Sequence, residues 1–161
     1  PMANERDQLA RALSLARELK NREPWRPLAG PQTMAFESTA DIIGYGGAAG
    51  GGKTDLIAGL ALTKHKRVLI LRREKAQTEG VIQRLGEIIG NTSGFNSQKS
   101  IWRAPVGSRP LVEFGGLDNP GDERRWQGRP HDLKAFDEAT EQREAQVLGP
   151  REAIPGPPGD G

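Results

Sequence analysis

Between Gly47 and Thr54 the chain reads GAAGGGKT, a small-residue run closed by a lysine and a hydroxyl. It fits the spacing Gly-x-x-x-x-Gly-Lys-Ser/Thr of a phosphate-binding loop. In such a loop the backbone N–H groups of Gly47, Ala48, Ala49, Gly50, Gly51 and Gly52 point inward and wrap phosphate oxygens. The loop feeds a helix N-terminus, whose dipole favours anions. Lys53 would reach the β and γ phosphates, and Thr54 would place its hydroxyl on Mg²⁺. The plainer reading is a flexible glycine linker. A linker, however, has no need to stand between an apolar run and an amphipathic helix, as this stretch does.

A phosphate loop hydrolyses nothing alone. It needs a carboxylate for the metal and a second one to orient water. The stretch LKAFDEAT, residues 133–140, offers both. Asp137 would hold Mg²⁺ directly or through water, and Glu138 would polarise the attacking water. The alternative for this pair is a solvated helix start. Gln32, in GPQ, carries an amide that can donate to and accept from an adenine edge, or it is a turn residue after Pro31. Arg72 and Arg73 follow an apolar run, at the strand end where open α/β sheets bind ligands. One could stabilise a transferring phosphoryl group; both could equally be solvated charges. ERRWQGRPHD mixes Arg124, Arg125 and Arg129 with Trp126. That is either a nucleic-acid pattern or a charged loop pinned by one tryptophan.

These residues need a scaffold. The 161 residues suffice for one ordinary domain. The 21 glycines and 12 prolines cluster, which argues for ordered loops plus a loose end. A net charge of +2 tolerates a nucleic-acid partner without demanding one. The absence of cysteine excludes disulfides and thiolate metal sites. No apolar run approaches the ~20 residues of a membrane helix, so no membrane partner is expected and the default location is the cytoplasm.

Residues 4–20 place Leu9, Leu13, Ala16 and Leu19 on one helical stripe, expected to dock on its own domain. Pro24, Pro27 and Pro31 then mark a connector with Trp25 as an anchor. ADIIGYGG reads as a buried strand before the loop, and KTDLIAGLALTKHK as a helix with Leu56, Leu60 and Leu62 inward. RVLILRRE is a continuous apolar strand, suited to a parallel sheet covered on both faces. Residues 75–90 form a further helix, with Val81, Ile82, Leu85 and Ile89 as its apolar face. Residues 91–109 read as a polar loop, PLVEFGG as a strand, and LKAF as a last strand in which Lys134 is out of place unless that strand is partly uncovered or starts later. Alternating strands and helices predict an α/β fold with a parallel sheet flanked by helices; with the phosphate loop this is a P-loop NTPase fold, of the RecA-like type that the resemblance given below implies. The expected organisation is a helix and connector over 1–30, an incomplete ATPase domain over 31–140, and a Gly/Pro-rich tail over 141–161 that should not pack.

With these residues assembled, the chain resembles the ATPase end of bacteriophage terminase large subunits. The stretches that carry the resemblance are WRPLAGPQTMAFES, ADIIGYGGAAGGGKTDL, RVLILRRE and FGGLDNPGDERRWQGRPHDLKAFDEAT, over residues 25–140 in the family's order. The resemblance implies ATP hydrolysis with Mg²⁺, coupled to translocation of double-stranded DNA into procapsids in the bacterial host cytoplasm. It makes Gln32 the adenine reader, Lys53 and Thr54 the phosphate and metal residues, and Asp137 and Glu138 the metal and catalytic acids. It also implies a terminase small subunit, a portal protein and other copies of the chain as partners.

Two departures stand out. Several terminases carry an arginine inside the phosphate loop, where Ala48 and Ala49 stand here. Its charge would then come from Arg72, Arg73 or a neighbouring subunit. The family also continues beyond the acidic pair into a coupling strand and a nuclease, and neither follows Glu138 here. The expectation is a truncated or frameshifted reading with an open sheet edge, and marginal stability in isolation. The alternatives are a fragment that binds nucleotide or partners without turnover, and a RecA-like ATPase or helicase outside viruses.

Overall fold

A computed structural model describes residues 2–21, 24–47, 52–103, 110–141 and 147. Most of the predicted tail over 141–161 lies outside the described residues. The chain opens with α1 (Met2–Asn21), followed by a short α2 (Pro31–Glu37) and α3 (Lys53–Thr63). Then come β1 (Arg67–Arg72), a tight 3-10 turn at Lys75–Thr78, and α4 (Glu79–Ile89). The strands β2 (Phe95–Asn96), β3 (Ile101–Arg103), β4 (Leu111–Gly116) and β5 (Leu133–Phe136) complete one sheet of order β2-β3-β4-β1-β5.

The mixed α/β architecture stands as expected, but the sheet is not wholly parallel. β1 lies between β4 and β5 and is parallel to both. Val68, Leu69 and Ile70 are each 0 % exposed, which is why this segment reads as an unbroken apolar run rather than an alternating one. β2 and β3 form an antiparallel hairpin that pairs β3 against β4. It lies within the segment expected to be loop. Phe95, Trp102 and Phe114 hold this corner, with Phe95 edge-on to Phe114 at 5.9 Å between centroids and Trp102 fully buried. The hairpin's short strands are secured by that aromatic packing and by β4 rather than by any local pattern.

Alternation puts Val68, Ile70, Val112 and Phe114 on one face of the sheet. There they pack with Ala58 and Ala61 of α3 and Val81 and Leu85 of α4. The deepest α3 residues are therefore alanines, which bring the helix close to the strands, while Leu60 and Leu62 are half-buried. The opposite face carries Leu69, Leu71 and Phe136, and Leu117 and Trp126 pack on it. Its cover is thus the 117–131 segment rather than a helix. Lys134 lies on this face of β5 and is exposed, so the strand is partly uncovered at that point. Among the described residues β5 pairs with β1 alone, leaving its outer edge without a strand.

Three expectations need correction. Residues 41–46 do not form a strand, and Ile42 and Ile43 are 80 % and 45 % exposed. No strand runs beside them among the described residues, and an unpaired backbone gains nothing by leaving water. The part of the α1 stripe that is described does not dock on its own domain: residues 4–15 are all exposed, Leu9 and Leu13 included, while the side chains of Ala16 and Leu19 lie outside those described. The boundary at residue 30 also cuts through packed structure. Trp25 is buried against Phe36 and Leu56, so the connector is part of the domain. Its indole covers Gly59, where a Cβ would collide with the ring.

Asp132 ties two strand starts together. Its carboxylate accepts the backbone N–H groups of Lys66 and Arg67, each at 2.8 Å. Burial alone would raise this carboxyl, but the two amides and nearby His65 outweigh it and hold the group below its ordinary value. Burial holds the His65 imidazole below its own usual value, with Asp132 opposing and Lys64 reinforcing the effect.

Candidate functional site

A short turn over 64–66 joins α3 to β1, and α3 packs through Ala58 and Ala61 against Val68 and Ile70. The dipole of α3 favours anions at its N-terminus, and open α/β sheets bind ligands beyond the carboxyl ends of their strands. Gly52 precedes α3 with φ +72°, a left-handed conformation that suits glycine. Its carbonyl oxygen accepts the Leu56 N–H at 2.9 Å, the first bond of the helix. Lys53 Nζ donates to the Gly47 carbonyl at 2.9 Å, drawing the two ends of the loop together. Ala48, Ala49, Gly50 and Gly51 lie outside the described residues. Thr54 is half-buried in the first turn of α3.

At the end of β5, Asp137 is 3 % exposed and its backbone N–H donates to the Leu71 carbonyl at 3.0 Å. Arg72, at the end of neighbouring β1, donates through Nε to Asp137 Oδ2 at 2.8 Å. The same guanidinium lies 3.8 Å from Glu138 Oε1. Glu138 has φ +53°, one of two non-glycine residues with positive φ among the described residues. That backbone is costly for a glutamate and is held only where its surroundings impose it. Arg72 is therefore an internal partner of the acidic pair, whereas Arg73 is exposed at the strand end.

Gln32 is 3 % exposed, and its amide is engaged inside the protein. Oε1 accepts the Leu28 N–H at 2.8 Å, and Nε2 donates to the Gly52 carbonyl at 3.0 Å and to Asp55 Oδ2 at 3.3 Å. Asp55 also accepts from Trp25 Nε1 at 3.1 Å and from Arg84 Nε at 2.8 Å. Hydrogen bonds to Glu87 and Asp55 push the Arg84 guanidinium further up from its already high value. Sequence reasoning missed Asp55 and Arg84. The one local signal was an acid in the first turn of α3, directly after the Gly-Lys-Thr step.

The arginine-rich loop is pinned in place. Trp126 lies against the backbone of Gly115, and Arg129 stacks over its ring at 5.2 Å. Arg129 also reaches Glu113 at 3.2 Å, and His131 Nε2 lies 2.5 Å from the same carboxylate. This polar cluster, invisible in the sequence, anchors the loop to the lower part of β4. Arg124 and Arg125 remain exposed.

Mg²⁺ prefers oxygen ligands and is typically bound by one or two carboxylates together with substrate phosphates and water. The Asp137 carboxylate and the Thr54 hydroxyl are donors of that kind. No group of three or more His, Asp or Glu side chains among the described residues could hold a metal without a substrate's help. No helix among the described residues is long and apolar enough to cross a membrane. No family model matches the chain, and no curated protein or solved structure matches it either.

Proposed function

We propose that the chain is the ATP-binding and hydrolysing part of a DNA-packaging motor of the terminase large-subunit type. The observation that carries the reading is the left-handed Glu138 beside buried Asp137 directly after β5, in a chain whose Gly-Lys-Thr step opens α3. The loop amides and Lys53 would bind the triphosphate, the lysine leaving the Gly47 carbonyl for the β and γ oxygens. Asp137 and Thr54 would hold Mg²⁺, which neutralises charge on those oxygens when bound. Glu138 would orient water for in-line attack and accept its proton. Arg72 already lies beside both carboxylates and is the nearest described cation to stabilise charge during transfer. The resemblance extends the proposal to double-stranded DNA, a small subunit, a portal protein and further copies of the chain as partners, and to the bacterial host cytoplasm.

One observation favours a second reading. The Arg72–Asp137 ion pair occupies an oxygen that the metal would otherwise take, as expected of a chain that binds nucleotide or a partner subunit without turnover. ATP turnover by the purified chain, compared with Glu138→Gln and Lys53→Ala, separates the two. Turnover lost in Glu138→Gln with ATP binding retained supports the motor. ATP binding that needs Lys53, without turnover in the parent chain, supports the binding fragment. No binding by any of the three rejects both.

A further inference from the structure

We propose that Gln32 is a positioning residue that latches α2 to the last glycine of the phosphate loop, rather than a reader of the base. The inference rests on the phosphate-site reading above and names a determinant of that site. To read an adenine edge, an amide must offer a donor and an acceptor together outside the protein. Here both faces of the Gln32 amide are engaged internally, and the side chain is 3 % exposed. The bond to Gly52 falls where it can matter most. The Gly52 carbonyl accepts the Leu56 N–H and the Gln32 amide together, so Gln32 fixes the peptide plane that opens α3.

Gly52 is required here twice over, by its φ of +72° and because a Cβ would collide with the Gln32 amide nitrogen. Asp55, one turn into α3, grips the same amide and is itself held by Trp25 and Arg84. The latch therefore spans the connector, α2, α3 and α4. Loop amides bind phosphate well when their directions are set before the ligand arrives. A residue that sets them affects every triphosphate alike, whatever base it carries.

The test measures affinity of the full chain for MgATP, MgGTP and magnesium tripolyphosphate, in the parent and in Gln32→Met. Amide hydrogen exchange of the unliganded proteins is followed in parallel. The latch requires all three affinities to fall by one common factor, about five- to tenfold for the loss of a buried hydrogen bond. It also requires faster exchange at Leu56 and its neighbours in α3 while β1 exchange stays unchanged. A loss confined to MgATP makes Gln32 a base reader and overturns the proposal. Three unchanged affinities overturn it too, as does exchange that rises equally in β1, which marks a general loss of stability. Should Gln32→Met fail to fold, Trp25→Phe removes the indole donor to Asp55 and is read by the same criteria. A parent chain that binds none of the three ligands rejects the phosphate site itself, an outcome distinct from failure of the latch alone.

Discussion

Asp55, in the first turn of α3, and Asp137, directly after β5, are both carboxylates gripped by an arginine. Asp55 takes hydrogen bonds from Trp25, Gln32 and Arg84, so its acceptor sites are filled from three directions. Asp137 is more deeply buried, yet among the described residues Arg72 is its one side-chain partner, at Oδ2. A buried acid with all its partners in place locks the elements that supply them. An acid whose burial rests on a single cation can exchange that cation for another. The difference separates a carboxylate that ties four segments together from one whose single cation can be replaced, as the proposed metal site requires.

The largest expected effect lies on the chemical side of this comparison. If the chain turns over ATP as proposed, Glu138→Gln should lower that turnover about 10²–10⁴-fold, the usual contribution of a positioned general base, with ATP affinity changed little. Steady-state turnover and a binding titration on the same preparation check it. Comparable activity in parent and variant would remove Glu138 from the reaction.

Next in size are the two arginines. Arg72→Met strands a buried carboxylate and should cost about 2–3 kcal/mol, below the full penalty of a wholly buried pair because Arg72 is itself 21 % exposed. Added Mg²⁺ should return part of that loss by taking the guanidinium's place. Arg84→Met should cost about 1–2 kcal/mol, with no recovery in Mg²⁺, since Asp55 keeps its other donors. Denaturant unfolding with and without the metal reads both. Equal recovery in the two variants would erase the distinction between the carboxylates.

Removing the acids themselves sharpens the same point. Asp55→Ala leaves the Trp25 N–H and the Arg84 guanidinium without their acceptor and should cost about 2 kcal/mol. Asp137→Asn keeps the shape and an acceptor oxygen for Arg72, whose partly exposed guanidinium can also turn to water, and should cost about 1 kcal/mol. The reverse order in thermal melts would contradict the assignment of roles.

The smallest effect concerns a third carboxylate, Asp132, and its neighbour His65. The His65 value is lowered in the fold, so the unfolded chain takes up a proton first, and stability begins to fall as pH drops through about 6.5. The Asp132 value is also lowered. Its contribution is present above about pH 4 and is lost as pH falls through its folded value. Melting temperatures from pH 7 to pH 3 should therefore decline in two steps. Asp132→Asn should flatten the lower one, modestly, because the side chain is 45 % exposed.

Much of the scaffold was legible because local pattern and burial agree there. The run Val68–Leu71 is apolar throughout because both of its faces are covered, and Val81 with Leu85 marks the buried side of α4. The same logic failed for Ile42 and Ile43, whose strand needs a neighbour that no local pattern supplies. It failed for β2 and β3 because two- and three-residue strands owe their existence to β4. At the site, the spacing of Gly47 to Thr54 and the Asp-Glu step after LKAF could be read directly. The bonds from Gln32 to Gly52 and from Arg72 to Asp137 could not, because they join residues that only the fold brings together.

The most direct measurement is the affinity for ATP of the parent chain and of Asp137→Asn, each with Mg²⁺ and with a chelator. If the loop of α3 and the acidic pair form one triphosphate site, Mg²⁺ strengthens ATP binding to the parent. Asp137→Asn then loses that increment while keeping the metal-free affinity. An equal increment in both proteins, or no ATP binding in either, would contradict it.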